Sequence, residues 1–388
     1  MSYFHWVAAS TLGLIWFWRL ADAGLGMPNV ADISRPEWDQ QPQGSPLVSI
    51  VVPARNEETE IENTLTSLLS LDYRNFEVIA VNDRSTDRTG AIMERIAVSE
   101  KARGKLRAIY IDRLPSGWLG KAHAMWMAAS QARGTWLLFT DADVIFKPDA
   151  LRRALAYAES EAADHLVLFP RMIMKKSGER MMIAFFQTLF VFGHRPWKVA
   201  DPKARDHMGV GAFNLIRRDV YARIGTYERM RLEVLDDMKL GKVVKNAGFA
   251  QRNVFGADLI SIRWAKGASG IVNNLTKNFF AIMSFQWPRA IASCLALAFL
   301  NLMPFAGTIF AHGWARSGYL LALSSMFSIY VGMSRKSEIP PYYFVLHPIS
   351  TSLFVYTMLR STFLTLGQGG VVWRETFYPL QELRKGLV

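Results

Sequence analysis

Two aspartates one residue apart, Asp141 and Asp143, follow directly on the apolar run Trp136-Leu137-Leu138-Phe139. Carboxylates placed so closely repel one another unless a cation lies between them. A hard divalent metal takes oxygen ligands and can itself hold phosphate oxygens, which makes this turn a candidate metal site. Two more polar turns follow apolar runs in the same way. Pro53-Ala54-Arg55-Asn56-Glu57-Glu58 follows Leu47–Val52, and Asn82-Asp83-Arg84-Ser85-Thr86-Asp87-Arg88 follows Glu77–Val81. Asp87 reads equally well as a functional carboxylate or as a plain helix cap or solvated turn residue. Lys121, in Gly117-Trp118-Leu119-Gly120-Lys121, sits at a helix start, where a cation opposes the helix dipole and so calls for an anionic neighbour. A plain surface lysine is its other reading. Asp236 and Asp237 precede the helical pattern Met238–Asn246. Adjacent helical residues point about 100° apart, so one can serve as a general base while the other caps the helix N-terminus. A simple helix start is the alternative for that pair. His123, His165 and His207 have no partner at metal-ligand spacing and read as ordinary polar residues.

The elements that must carry these turns have an α/β pattern. Leu47–Val52, Glu77–Val81, Leu106–Ile111 and Trp136–Thr140 are short apolar or β-branched runs, spaced by about thirty residues, the length of a βαβ unit. Helical patterns lie between them at Glu57–Ser70, Thr86–Ser99 (with Ser85 as its cap) and Lys121–Ala132. Near-continuous apolar strands alternating with helices predict a mostly parallel, Rossmann-like sheet covered on both faces. Ligands of such sheets bind at the carboxyl ends of the strands, where the acidic turns fall. The chain has neither a Walker-type loop nor Gly-x-Gly-x-x-Gly after the first strand, so phosphates must be held another way.

At 388 residues the chain is long enough for two domains. Hydrophobic residues make up 51%, which excludes disorder. A lone cysteine, Cys294, excludes a disulfide framework and any Cys-rich metal site. The net charge of +12 suits nucleic acid, anionic lipid or a phosphorylated substrate. The apolar residues gather at the ends. Tyr3–Trp18 predicts a membrane anchor ending at Arg19, and it lacks the basic start and cleavage site of a signal peptide. Ala290–Ala315, Ser317–Ser334 and Ile339–Leu359 approach or exceed the ~18–20 residues needed to span a membrane. Met181–Phe192 and Lys277–Trp287 read as interfacial helices, with a core helix as the alternative. The expected organisation is an anchor over 1–20, a linker over 21–46, a catalytic domain over 47–277, an interfacial helix and membrane helices over 278–366, and a basic tail over 367–388.

In order and spacing, Val48–Glu57, the Asp83 turn, Asp141-Ala142-Asp143 and Leu235-Asp236-Asp237 resemble a family 2 glycosyltransferase over Pro46–Lys277. The resemblance implies the nucleotide-diphospho-sugar fold called GT-A, flanked here by transmembrane helices, and an inverting hexosyltransferase. It implies that Glu57 and Asp83 contact the nucleotide base and ribose, within a donor site of Pro53, Arg55, Glu57, Asp83, Lys121, Asp141, Arg263 and Trp264. It further implies that Asp141 and Asp143 hold Mg²⁺ or Mn²⁺ with the diphosphate of a UDP-sugar or GDP-sugar, and that Asp237 is the base. Gly209–Asn214 would line the sugar and acceptor pocket. Ser261-Ile262-Arg263-Trp264 is similar to the Gln-x-x-Arg-Trp motif, but Ile260 stands at the Gln position, which weighs against a processive channel. Gly369–Leu380 resembles bacterial enzymes that glycosylate carotenoids, hopanoids or related lipids, with ceramide glycosyltransferases as further kin.

The expected function is transfer of a sugar to a lipid hydroxyl at the membrane. A polysaccharide synthase, a polyprenyl-phosphate sugar synthase and a degenerate membrane scaffold are the alternatives. Nucleic acid is not expected as a partner, because the basic residues do not cluster with stacking aromatics on a recognised module. Nucleotide-sugars are cytosolic, so the catalytic domain is expected in the cytosol at a bacterial inner membrane. Arg335-Lys336 then falls inside, as the positive-inside rule asks, and the last apolar segment either spans or re-enters.

Overall fold

The computed structural model describes residues 2–387 and divides the chain into two compact units. One unit comprises Val30–Ile173, Lys198–Arg263 and Arg374–Val388. Its strands are β1 Val48–Ala54, β2 Phe76–Asp83, β3 Leu106–Ile111, β4 Trp136–Phe139 and β5 Val144–Phe146, then β6 His165–Phe169, β7 Arg171–Met172, β8 Asn214–Arg217, β9 Gln251–Phe255 and β10 Ile260–Ile262. Seven form a sheet ordered β3-β2-β1-β4-β8-β6-β9. The four strands predicted from the apolar runs are its parallel half: β1 pairs with β2 and β4, and β2 with β3, all parallel. β8 is the reversed strand, antiparallel to both β4 and β6. A smaller sheet, β5-β10-β7, stands beside the metal-candidate turn, since β5 begins one residue after Asp143.

The first two helices start later than the apolar periodicity predicts, because side chains of one turn take the amides of the other. The amides of Asn56, Glu57 and Glu58 are given to Ser85 Oγ (3.0 Å), Thr89 Oγ1 (2.8 Å) and Asp87 Oδ2 (3.1 Å). The first helix therefore begins at Ile61 and the second at Thr89. Asp87 accepts the Thr89 amide at 2.9 Å and takes the capping role expected of Ser85. The stretch read as linker is also partly built in. Ile33 donates its amide to the Phe255 carbonyl, Ala31 accepts from the Phe255 amide, both at 2.8 Å, and Ile33 is wholly buried. Burying that one side chain is worth about 1.5–3 kcal/mol and adds to the two backbone bonds that hold the segment on the sheet edge.

The other unit comprises Met1–Asn29, Met174–Trp197 and Trp264–Trp373 and is helical. Its long helices are Ser2–Gly26, Ser177–Gly193, Gly267–Ile282, Trp287–Phe310, Gly313–Ser337 and His347–Gln368. Among the described residues, only Trp287–Phe310 is both long and apolar enough to cross a membrane. The first helix does not stop at Arg19, whose guanidinium reaches Asp22 at 3.2 Å one turn on, and it continues to Gly26. The third C-terminal apolar run is broken: Pro341–Leu346 is a 3₁₀ turn, and the helix starts at His347 with Pro348 in its first turn. Helices Ser2–Gly26 and Gly313–Ser337 meet at small residues, and a Cβ on Gly13 would lie 2.8 Å from the Gly318 carbonyl oxygen. The two stretches read as interfacial pack inward instead. Met182, Ile183 and Phe185 are buried, with Phe185 edge-on to Phe354 at 4.8 Å, and Phe279 and Phe280 are buried too. Residues 174–197 accordingly belong to this unit, while Ile282 and Trp287 of the second stretch stay exposed.

Candidate active site

The acidic turns converge at the carboxyl ends of the parallel strands. β1 ends into Arg55-Asn56-Glu57, β2 ends on Asp83, and β4 runs into Thr140 and Asp141. Asp141 is held by backbone: its amide donates to the Gly211 carbonyl at 3.1 Å. Its carboxylate accepts from Lys121 Nζ at 2.8 Å, and the same ammonium lies 3.4 Å from Asp236 Oδ2. Lys121 thus has the anionic neighbours its position at a helix start demanded. Burial pulls its ammonium down, but Asp141, Asp236 and Asp237 outweigh that and hold it above its ordinary value. A surface lysine would show neither partner.

Asp143 makes no ion pair among the described residues. Burial, the Asp141 charge and the Glu57 charge push its carboxyl up to about 7. This is a site short of positive charge. Two carboxylates, with phosphate oxygens and water completing the shell, match what Mg²⁺ or Mn²⁺ requires, although no three His, Cys, Asp or Glu side chains among the described residues form a ready cage. The residues fit a cation that arrives with its substrate.

The adjacent aspartates divide their work differently from the expected split. The helix Asp236–Asn246 begins at Asp236, which is buried and turned to Lys121. Asp237 receives the backbone amides: Gly211 N–H donates to its Oδ2 at 2.9 Å and Met238 N–H to its Oδ1 at 2.7 Å. The amide-binding role expected of Asp236 therefore falls to Asp237, which also stays half-exposed. Burial raises both carboxyls, with Lys121 opposing it. A half-buried carboxylate with lone pairs to spare can still accept a proton from a third party.

Three further contacts complete the surroundings, two of them between residues far apart in the chain. Arg374 forms an ion pair with Glu57 and donates to the Arg55 carbonyl at 2.8 Å. Tyr378 Oη accepts the Gly120 amide at 3.1 Å. Arg84 grips Asp83 with two bonds, of 2.8 and 3.1 Å. Both carboxylates expected to meet the nucleoside are thus already paired with arginine. Burial raises Glu57 even with Arg374 opposing it. Arg55 is the converse: its side chain is mostly buried, and Nε and Nη1 have no hydrogen-bond partner among the described residues. Pro53 is half-buried in β1, level with Val81 of β2. Arg263 is half-buried directly after β10, while Trp264 belongs to the helical unit, where it packs on Phe186 at 5.0 Å.

Sequence spacing missed a buried network beneath the Met208–Gly211 loop. His165, fully buried, accepts at Nδ1 from Gln251 Nε2 at 2.8 Å, and its Nε2 faces Asn214 Oδ1 at 3.0 Å. Asn214 Nδ2 then donates to the Val210 carbonyl at 3.0 Å, and Gln251 Oε1 accepts the Met208 amide at 2.9 Å. Burial lowers His165 to about 4, so it stays neutral and can accept as well as donate. Nothing in the residue spacing marks this histidine, because its partners lie on other strands.

The loop must also come close to the carboxylates. A Cβ on Gly211 would lie 2.4 Å from Asp141 Oδ2, nearer than any real contact. Gly211→Ala is expected to push the Asp141 carboxylate away from Lys121 and weaken nucleotide-diphosphate binding by about tenfold or more, the effect of a roughly 1 Å misplacement. Calorimetry on the variant, with circular dichroism confirming an unchanged fold, checks this. Wild-type affinity would show that Asp141 need not hold its place.

Residues 49–225 match the model of the family described as glycosyl transferase family 2. The 4,4'-diaponeurosporenoate glycosyltransferase of Staphylococcus aureus strain MRSA252 is 21% identical over 346 residues, spanning 86% of this chain and 89% of the relative. Its counterpart from Staphylococcus haemolyticus is 23% identical over 62% of this chain and 63% of its own length. Among solved structures, the mannosyltransferase PcManGT of Pyrobaculum calidifontis, in complex with GDP-Man and Mn²⁺, aligns with a TM-score of 0.56 at 18% identity, covering 94% of this chain and 99% of that one. Its likeness is to the fold. Residues 49–225 thus match a glycosyl transferase family 2 domain on a GT-A-like sheet, and the chain is a glycosyltransferase.

Proposed function

We propose that this glycosyltransferase moves a hexose from a nucleotide-diphospho-sugar to the hydroxyl of a membrane lipid, with inversion at the anomeric carbon. The observation that carries the donor half is the charge arrangement at the strand ends: Asp141 and Asp236 share Lys121, while Asp143 makes no ion pair among the described residues. A divalent cation at Asp141 and Asp143 would supply positive charge for the departing diphosphate. Lys121 stays protonated beside it and carries part of that charge. The two unpartnered nitrogens of Arg55 offer donors to the nucleotide's oxygens. As the acceptor oxygen bonds to the anomeric carbon, the bond from that carbon to the phosphate oxygen breaks and its electron pair leaves with the diphosphate. The hydroxyl proton passes to Asp237, the half-exposed member of its pair, held in place by the Gly211 and Met238 amides.

The acceptor half rests on the helical unit and the names of the relatives. Trp18, Ile309 and Phe363 are about two-thirds exposed, at 70%, 69% and 66%, on three different helices. Apolar side chains turned outward on several helices suit a bilayer, with Trp287–Phe310 as the firmest span. The close contact at Gly13 and Gly318 is the small-residue packing that membrane helices use. The relatives named for 4,4'-diaponeurosporenoate favour a carotenoid-type lipid alcohol or acid as the chemical class, and the PcManGT complex favours a nucleotide-sugar with Mn²⁺.

A thermal-shift screen of UDP- and GDP-sugars, with and without Mn²⁺ or Mg²⁺, followed by radiolabel transfer from the best donor into an extracted lipid fraction, tests the proposal. Metal-dependent stabilisation by one donor class and label in the lipid phase are expected. Label confined to water-soluble products would overturn the lipid acceptor.

A further inference from the structure

The helical unit contains a cavity of about 260 Å³ among the helices Ser177–Gly193, Gly267–Ile282, Trp287–Phe310 and His347–Gln368. Phe192, Phe279, Phe354 and Met358 form much of its wall, with Leu297 and Leu300 opposite. Two polar side chains also reach it, Ser293 and Asn301, and each is already engaged. Ser293 Oγ lies 3.0 Å from Met283 Sδ. Asn301 Nδ2 donates to the Leu297 carbonyl at 2.8 Å, while its Oδ1 faces His347 Nε2 at 3.0 Å. His347 is in turn fixed through Nδ1 by Tyr330 Oη at 3.0 Å.

The rest of the lining is apolar, so a polar headgroup would lose most of its hydrogen bonds on entering. Hydrocarbon loses nothing. The cavity opens past Ala296, which is exposed on the helix apolar enough to cross a membrane, beside Leu295, 68% exposed. Its mouth thus faces outward among apolar side chains. A space of this size takes part of a long chain and not the whole of one.

We propose that this cavity binds the hydrocarbon chain of the acceptor alcohol. The inference rests on the lipid-acceptor reading above and gives that reading a place in the chain. Nothing in it depends on the donor site.

The test uses full-length protein in nanodiscs and a long-chain primary alcohol carrying a mid-chain diazirine. After irradiation, adducts are expected on peptides containing Leu297 and Met358. Ala296→Phe should cut that labelling about tenfold and raise KM for a long-chain alcohol by a similar factor, the scale on which apolar pockets discriminate, while leaving donor affinity unchanged. Ala292→Phe, exposed one turn earlier on the same helix but outside the cavity, should change neither. Labelling unaffected by Ala296→Phe would overturn the proposal. So would competition by a diacyl phospholipid as strong as that by the unlabelled alcohol, since the cavity would then hold bulk bilayer lipid. Cavity labelling without sugar transfer to any hydrophobic alcohol would refute the lipid-acceptor function while leaving hydrocarbon binding established.

Discussion

Asp143→Asn is expected to abolish metal-dependent binding of UDP and GDP, weakening it by more than about 100-fold, beyond what changes outside a metal's direct ligands cost. The carboxylate stands where burial, Asp141 and Glu57 all disfavour its charge, and Lys121 offsets them only in part. Such a group binds a proton or a metal, and the two compete. In the unmodified protein, metal-dependent nucleotide affinity should therefore fall as pH drops below about 7, the position to which Asp143 is pushed. The same shift has a stability consequence of fixed sign. Between the ordinary value of 3.8 and about 7, the folded state holds a proton that the unfolded state has released. Stability from this group is present at low pH and lost as pH rises through that window. Asp143→Asn removes the penalty, so the metal-free variant should melt higher than the parent at pH 8. Calorimetry with and without Mn²⁺ between pH 6 and 8, with melting curves, measures all three effects. Unchanged metal-dependent affinity in the variant would remove Asp143 from the site.

Asp237→Asn should leave donor binding near normal and reduce transfer by about 10²–10⁴-fold, the contribution usual for a general base. The asparagine can still accept the Gly211 and Met238 amides through its one carbonyl oxygen, though not both through separate oxygens as the carboxylate does. A modest loss of stability is therefore expected alongside the loss of rate. Asp236→Asn should act differently, because it removes a charge from Lys121 in a buried site. Its main effect should be on donor affinity, through a less firmly held Lys121. Single-turnover rates at saturating donor, with separate donor titrations, distinguish the two. A slow Asp236→Asn with intact donor binding, beside an active Asp237→Asn, would exchange the roles.

The candidate site residues were legible in the chain because each lies within its own short segment. A parallel strand buried on both faces is an apolar run, and the turn after it must be polar. Asp83, Asp141 and Asp143 could accordingly be located from local pattern, as could β1 to β4. The start of the helix after Glu57 could not. Its first amides are taken by Ser85, Asp87 and Thr89, about thirty residues on, and no local propensity encodes that exchange.

What the tertiary structure alone decided is which charges meet. Lys121 could be suspected of an anionic partner from its helix position, yet its choice of Asp141 and Asp236 depends on three separate elements. Arg374 on Glu57 spans 317 positions of sequence, and His165 reaches Asn214 and Gln251 across strands whose order, β8-β6-β9, no sequence period announces. The division between Asp236 and Asp237 is of the same kind. Helical geometry says that the two point apart, but only the position of the Gly211 amide says which one it binds. Periodicity and turn chemistry act over a few residues and are written in the chain. Electrostatic pairing and hydrogen-bond satisfaction act over a few ångströms and are settled only when distant segments have packed.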